Sequence, residues 1–126
     1  VVASFFAKPR YEHVEPAPLE HDVWNHKQLL TIVSHTPVEV DLFGRMMASI
    51  DWIDVPRRFV PETEKLYSWW SYRNNDWRVS NRGRRLDHIL ASQALGAAIS
   101  SHHIDVDLRD WEVPSDHVPV LATFEV

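Results

Sequence analysis

Cysteine is absent from this chain of 126 residues. Its absence excludes a disulfide framework, a zinc site built on thiolates and a thiol nucleophile. Glycine is scarce, with only Gly44, Gly83 and Gly96 in the whole sequence. These three lie too far apart to form either common glycine-rich phosphate loop, so we do not expect nucleotide binding of those kinds.

Long hydrophobic runs are also missing. No stretch reaches the about 18 apolar residues of a membrane span, and no basic segment precedes the apolar start, Val1 to Ala7, as it would in a signal peptide. Hydrophobic residues make up 44% and charged residues 25% of the chain, which is typical of a globular domain. We therefore expect one cytoplasmic domain with no membrane partner.

Positive charge is in deficit overall but locally concentrated. The formal net charge is −5, which does not favour general attraction to nucleic acid. Five of the 13 basic side chains nevertheless fall in one short segment, where only Asp76 opposes them: Arg73, Arg78, Arg82, Arg84 and Arg85. Aromatic residues are interleaved with them, which is typical of a nucleic-acid contact. A solvated surface loop is the alternative for any single arginine.

The hydrophobic pattern predicts strands that alternate with short helices. Thr36 and Pro37 are favourable at a helix start, and the helix should end near Ser49; a second helix is expected from Ser92 through Ala98. The predicted strands are 52–55, 66–72, 85–91, 103–108 and 118–125, with an irregular segment at 8–22 and loops at 60–65 and 74–83. This order implies an α/β or α+β layered sheet.

Three segments carry polar residues in a specific order. They are Tyr67-Ser-Trp-Trp-Ser-Tyr-Arg73, Asn81-Arg-Gly-Arg-Arg-Leu-Asp-His-Ile-Leu-Ala-Ser92 and Pro114-Ser-Asp-His-Val-Pro-Val120. On these motifs the chain resembles the exodeoxyribonuclease III family of DNA repair nucleases, the abasic-site endonucleases of the endonuclease/exonuclease/phosphatase superfamily. The stretch that begins at Ala17-Pro-Leu-Glu-His-Asp-Val-Trp also resembles the family, so the similarity runs from about residue 17 to the C-terminus.

The resemblance implies an α/β fold that is one half of a DNase I-like two-sheet sandwich, with a mixed or mostly antiparallel sheet and flanking helices. Residues 1–16 would be a non-family N-terminal segment, and residues 17–126 the C-terminal half of an exonuclease III-like domain. A half sandwich would expose an apolar sheet face, and such a patch promotes association. We therefore expect self-association through that face.

The resemblance also assigns roles to three residues. Asp87, in the Arg-Leu-Asp motif, would pair with His117, orient its imidazole and favour its protonated form. The catalytic His117 would then stabilise charge on a phosphate oxygen. Asp116 would bind the divalent metal, Mg²⁺ or alternatively Mn²⁺, through hard carboxylate oxygens. Taken by itself, the Asp-His doublet could equally be a turn aspartate beside a surface histidine.

DNA-binding roles follow from the same resemblance. Trp69 and Leu86 would line a pocket for an extruded abasic sugar, although core packing explains one of Trp69 and Trp70 equally well. The five clustered arginines match the region that grips the DNA backbone. Arg84 stands where relatives often carry a pocket tryptophan, which argues against strict selectivity for abasic sites.

The sequence departs from the family before residue 17. The Gly-Asp-x-Asn motif that supplies the base for water is missing, since His13 and Glu15 occupy the aspartate and asparagine positions. Three functions therefore stay open: a truncated Mg²⁺-dependent DNA repair phosphodiesterase acting on double-stranded DNA at abasic sites or 3′ ends, a catalytically inactive DNA-binding fragment, or a superfamily phosphoesterase acting on lipid phosphates.

Overall fold

The computed structural model describes residues 19–126, except for the side chains of the first two. It is a mixed α/β structure with short antiparallel strand pairs. The helices are α1 (His26–Leu29), α2 (Pro37–Ser49), α3 (Val55–Phe59) and α4 (Trp77–Ser80), with 3-10 helices at Leu19–Asp22, Gln93–Ala98 and Val106–Asp110. The strands are β1 (Ile53–Asp54), β2 (Trp69–Trp70), β3 (Gly83–Arg84), β4 (Leu90–Ala91), β5 (Ile99–Ile104) and β6 (Val120–Phe124).

The segment around β2 lies between two others. On one side β2 pairs with β3, with Trp69 opposite Arg84. On the other side Trp69 forms an antiparallel bridge with His117, and Val118 N donates to the Ser68 carbonyl at 2.9 Å. The three polar motifs of the sequence are thus neighbouring extended segments, which explains how residues distant in sequence reach one site.

The segment at 23–24 continues this layer beyond β3. Val23 bridges Arg84 on the side away from Trp69, and Trp24 N donates to the Gly83 carbonyl at 3.1 Å. The segment at 23–24 therefore forms the outer neighbour of β3. This order of strands brings Trp24 to the same region as Arg82 and Arg84.

Two further pairs complete the sheet structure. β5 and β6 form the longest ladder, from Ile99 opposite Phe124 to Ile104 opposite Val120, and β1 pairs with β4. All three named pairs are antiparallel. Helix α3 packs against β5.

An aromatic core lies behind β2. Tyr67, Trp70, Trp77 and Val118 are each less than 9% exposed and form one cluster. Trp70 contacts Trp77 edge-on, with ring centroids 5.2 Å apart. The bulky rings fix β2, which in turn holds the side chains at its front.

Helix α2 begins and ends as predicted. Glu39 accepts hydrogen bonds from Thr36 N at 3.0 Å and from Ser34 N at 2.9 Å, so its carboxylate caps the helix start. Pro37 occupies the first turn, where its missing N–H has no consequence.

Three predictions of secondary structure were wrong in part. The strand expected at 103–108 ends at Ile104, since its partner β6 starts only after Pro119, which has no N–H to donate. The loop expected at 74–83 contains α4, whose Trp77 is buried in the core and whose C-cap Asn81 takes a left-handed conformation with φ 47°. Of the strand expected at 85–91, only Leu90–Ala91 is a strand, β4, while β3 lies just before the expected start.

The remaining elements are close to prediction. The strand expected at 52–55 is β1, ended by Val55 and Pro56 at the start of α3, and the helix expected after Ser92 is the 3-10 helix Gln93–Ala98. Across residues 19–126, no helix has the length and apolar character required to cross a bilayer.

Candidate active site

Asp87 and His117 meet at the front of β2. The Nδ1 atom of His117 lies 2.7 Å from Asp87 Oδ2, so the predicted pairing is confirmed. An ionised carboxylate can only accept, which means that Nδ1 carries the proton and Nε2 is the ring nitrogen left for a substrate. The His117 side chain is 44% exposed, so the imidazole is within reach of a ligand.

Ser68 fixes the carboxylate of this pair. Its Oγ donates to Asp87 Oδ2 at 2.7 Å and accepts from the backbone N–H groups of Leu86 and Asp87 at 3.0 and 3.1 Å. Ser68 is fully buried, so these bonds do not compete with solvent. The hydroxyl thereby holds both the backbone and the side chain of Asp87.

Asp116 has a different partner from its neighbour His117. Its Oδ2 accepts from the indole Nε1–H of Trp69 at 3.0 Å. The two side chains of the Asp-His doublet therefore address different groups, as the alternation of an extended chain predicts. Ser68 and Trp69, adjacent in sequence, each donate to one of the two carboxylates.

The chemistry of Asp116 fits a hard cation only in part. Mg²⁺ is commonly held by one or two carboxylates together with waters and substrate phosphates, and Asp116 can supply one such oxygen. Within the part of the chain that the structure describes, no three His, Asp or Glu side chains converge to hold a metal ion. Asp116 would therefore depend on other ligands, including the substrate, to retain the metal.

Three of the five predicted DNA-binding arginines share one cleft of about 390 Å³. The cleft is lined by Trp24, Trp69, Ser71, Arg73, Asn74, Arg82 and Arg84. Arg73 and Arg82 are exposed, whereas Arg84 is half-buried, and burial lowers the pKa of Arg84. The cleft adjoins the Asp116 carboxylate because Trp69 belongs to both.

Arg78 lies outside this cleft. Its guanidinium contacts Asp107 at 3.1 Å and also Asp110, both on or beside the 3-10 helix at 106–110. Since two carboxylates already neutralise it, Arg78 is the least suited of the three exposed arginines to bind phosphate.

Arg85 is the one predicted DNA contact that the geometry contradicts. Its side chain is 1% exposed and pairs with Asp22 and with Asp54. Asp22 is itself fully buried and also pairs with Arg57 at 2.6 Å. Burial acts to lower the pKa of Arg85, but the two carboxylates outweigh it and raise the pKa above its ordinary value. Adjacent strand residues face opposite sides, which is why Arg84 lines the cleft and Arg85 enters the interior.

The predicted sugar pocket is only half assembled. Trp69 is half-buried and lines the cleft, whereas Leu86 is half-buried and is not among the residues that line it. Trp70, the other tryptophan of the doublet, is in the core at 3% exposure. The alternation of the strand thus sends Trp69 to the site and Trp70 to the interior.

Two buried histidines were not identified from the sequence. Burial lowers the pKa of His35 to about 4, and burial together with Arg85 lowers that of His88 to about 3. His88 packs on Phe43, with ring centroids 4.8 Å apart. No pattern in the sequence predicts this contact. The roles of Ser68 and Trp24 were missed as well, since each depends on which strands become neighbours.

His102 and His103 do not form a metal site in the structure. His102 stacks on Phe59 with ring centroids 5.1 Å apart, while His103 is directed to Asp105 at 4.0 Å. This divergence is the one expected for adjacent strand residues. Residues 1–16, with the candidate replacements His13 and Glu15, lie outside the described residues.

Comparison with known proteins identifies the family. The model of the endonuclease/exonuclease/phosphatase family matches residues 14–117. The chain is 41% identical to exodeoxyribonuclease III of Haemophilus influenzae over 69 residues, which are 55% of this chain and 26% of that protein. It is 33% identical to an exodeoxyribonuclease of Bacillus subtilis over 101 residues, which are 80% and 38% of the two chains.

Solved structures show the same fold. The 3′ phosphatase NExo from Neisseria, bound to a product DNA hairpin, matches with a TM-score of 0.75 and 31% identity, and an AP endonuclease from Archaeoglobus fulgidus with 0.73 and 28%. Each match covers 87% of this chain and 42% of the other, so the chain spans less than half the length of these relatives. The predicted DNase I-like α/β class is confirmed, and the chain belongs to the endonuclease/exonuclease/phosphatase family, in its exodeoxyribonuclease III and AP endonuclease branch.

Proposed function

We propose that this chain carries one side of the site of a Mg²⁺-dependent DNA repair phosphodiesterase that acts on double-stranded DNA at abasic sites and 3′ ends. The observation that carries the proposal is the hydrogen bond between His117 Nδ1 and Asp87 Oδ2 at 2.7 Å. It leaves Nε2 free on a half-exposed imidazole, and the backbone of His117 bridges Trp69, which lines the basic cleft. The relatives named as exodeoxyribonucleases and as a 3′ phosphatase bound to DNA support a DNA substrate.

Each polar group has one role in this proposal. His117, oriented by Asp87, donates from Nε2 to a phosphate oxygen on which charge develops during attack by water. Asp116 would hold the metal ion, with its second oxygen steadied by Trp69. A bound Mg²⁺ would polarise the phosphate or stabilise the leaving oxygen.

The arginines of the cleft would grip the DNA backbone. Arg73, Arg82 and Arg84 place positive charge in the cleft that Trp69 lines, where it can neutralise phosphates and release counterions. Arg78, already paired with two carboxylates, would contribute less.

DNA binding without cleavage is the second candidate. It is favoured by a specific observation: among the described residues no three His, Asp or Glu side chains converge on a metal position, so Asp116 has no partner ligands of its own there. A lipid phosphate substrate, the third candidate, is disfavoured because the named relatives with 33% identity or more are exodeoxyribonucleases.

Cleavage of a duplex with a single abasic site separates the first two candidates. With Mg²⁺ the wild-type chain should nick this duplex, and EDTA should abolish the reaction. The change His117→Gln removes the charged donor, so the rate should fall by at least about a hundredfold. Denaturing gel electrophoresis of a labelled strand measures both rates.

The matched control is His103→Gln, the same change at a histidine of β5 whose side chain is 68% exposed. It should leave the nicking rate unchanged. Nicking by His117→Gln at the wild-type rate would refute the catalytic role of His117. DNA binding without any Mg²⁺-dependent nicking by the wild type would establish the binding candidate.

A further inference from the structure

The basic cleft is built from two layers of arginine on tryptophan. The Arg82 guanidinium lies 5.0 Å from the Trp24 ring centroid, and the Arg84 guanidinium 5.1 Å from that of Trp69. Strand pairing produces both, since Trp69 is opposite Arg84 in β2–β3 and Trp24 is bonded to Gly83. Planar cations and indole rings are the two surfaces on which nucleic-acid bases stack.

The Arg84 guanidinium covers the ring of Trp69, which forms one wall of the cleft. Its Nη1 donates to the Val33 carbonyl at 3.2 Å, which anchors the guanidinium over Trp69. One face of Trp69 is therefore covered by a cation instead of being offered as bare apolar surface. An abasic sugar needs a tight apolar pocket, and Leu86, the second predicted wall of such a pocket, does not line this cleft.

The size and charge of the cleft favour a larger, anionic ligand. Its volume of about 390 Å³ falls in the range of about 300–1,000 Å³ that is typical of small-molecule sites. Three arginines line it, and its seven described lining residues include no Asp or Glu. Such a cleft suits a phosphate together with a base.

We propose that the cleft between Trp24 and Trp69 holds an unpaired nucleotide that keeps its base, with the base on the Arg–Trp layers and the phosphate on Arg73 and Arg84. Arg84 is then the residue that sets specificity, against an abasic sugar and in favour of a base-bearing nucleotide at a frayed strand end. Unpaired strand ends supply such a nucleotide with the lowest unstacking energy, because their bases are already unstacked. This inference deepens the proposed function and rests on it for the DNA substrate.

Binding in EDTA tests the inference without catalysis. The probes are a short single-stranded oligothymidylate and an abasic phosphodiester of the same length and charge, titrated into the chain at fixed salt and followed by tryptophan fluorescence. The base-bearing probe should bind about tenfold more tightly, since each stacked base contributes about 1–3 kcal/mol. Trp24→Leu should erase this preference while the abasic probe binds as before.

Arginine variants locate the phosphate contact. Arg84→Leu should weaken binding of both probes, reduce the preference for the base-bearing probe, and lower the salt slope of binding by about one phosphate contact. Arg45→Leu removes the same charge from an exposed position of α2 outside the cleft, where the side chain is 74% exposed, and should change neither property. Trp24 also packs on the core, so Arg82→Leu, at an exposed residue, provides a second test of the stacking layer and should reduce the preference for bases.

Two outcomes overturn the inference. One is an abasic probe that binds as tightly as the base-bearing probe or more tightly, and the other is an Arg45→Leu variant that weakens binding as much as Arg84→Leu. A chain that shows the base preference in EDTA but never nicks DNA would refute the proposed catalysis and leave this site standing. A chain that nicks DNA without any base preference would refute the site alone.

Discussion

The orientation of the Asp87 carboxylate depends on the Ser68 hydroxyl, which takes no direct part in the proposed reaction. One carboxylate oxygen, Oδ2, accepts from both Ser68 and His117 at 2.7 Å. Ser68 therefore positions the carboxylate that positions the imidazole. Groups behind a catalytic residue commonly change activity by about 10–100-fold when they are removed.

Ser68→Ala tests this dependence. We expect kcat to fall about tenfold or more with little change in KM, since the phosphate-binding arginines are untouched and only the alignment of His117 is lost. Steady-state nicking kinetics measure both constants, and the ¹⁵N shifts of the His117 ring report, without catalysis, whether Nδ1 keeps its proton and its hydrogen bond to Asp87. Ser68→Thr, which retains the hydroxyl, should restore the Nδ1–H form.

Ser100→Ala serves as the control, because it removes a hydroxyl that bonds to the Thr123 carbonyl in the β5–β6 ladder, away from the site. Equal values of kcat for Ser68→Ala and Ser100→Ala would show that Ser68 has no positioning role.

Single residues differed in how far the sequence predicted them. The Asp87–His117 pair was predicted since the motifs name both partners. Arg85 was misassigned, because neighbouring arginines look alike in a sequence while only the covered face of a strand decides which one is buried. Ser68 was missed, since the partner of a hydroxyl depends on the register of three segments.

At the level of elements, β3 and the residues leading into β2 approach each other closely at Gly83 and Tyr67. A Cβ built on Gly83 would overlap the Tyr67 ring and lie 2.7 Å from the Tyr67 Cβ. Tyr67 is 5% exposed and belongs to the aromatic core, so it cannot move aside freely. Glycine is needed here for the approach of the two strands, not for an unusual backbone angle.

A pair of glycine substitutions tests this close approach. Gly83→Ala should lower the free energy of unfolding by about 1–3 kcal/mol, the usual cost of overpacking. Gly44→Ala, in the interior of α2 with nothing within 4 Å of the new Cβ, should instead raise it by about 0.5–1 kcal/mol, since alanine is the better helix former. Urea denaturation measures both, and a stabilised Gly83→Ala would contradict the packing of β2 on β3.

Elements with a clear periodic pattern were predicted, and those defined by tertiary pairing were not. Helix α2 has both a cap and a proline at its start, so its bounds were correct from the sequence alone. The stretch 85–91 alternates like one strand, yet only its end, β4, pairs with another strand, and Ser68 holds Leu86 and Asp87 by hydrogen bonds instead. No local pattern contains the information that a side chain will replace a strand as hydrogen-bond partner.

At the scale of the whole molecule, the interior is unusually charged. Asp22, Arg57 and Arg85 form a buried ion network, and two buried histidines, His35 and His88, lie within its field. Exposed apolar side chains are also present, among them Leu121 of β6 at 49%. Self-association through an exposed sheet face and a cytoplasmic location both remain predictions.

The buried histidines should make stability depend on pH. The pKa is lowered to about 4 in His35 and about 3 in His88, mainly because burial disfavours the charged imidazole, while the unfolded chain titrates near 6.5. Below pH 6.5 the unfolded state therefore binds more protons than the folded state. The contribution is fully present above pH 6.5 and is lost as the pH falls toward 4.

Urea denaturation at pH 7.5, 6.0 and 5.0 measures this loss. Between pH 6 and 5 each histidine should reduce the free energy of unfolding by roughly 1 kcal/mol per pH unit, close to the limiting slope of about 1.4. His88→Leu removes one of the two groups, so the slope should fall by about half whatever the effect on absolute stability. Equal stability at pH 7.5 and 5.0 would mean that folding does not lower the pKa of His35 and His88. The burial assigned to both side chains would then be wrong.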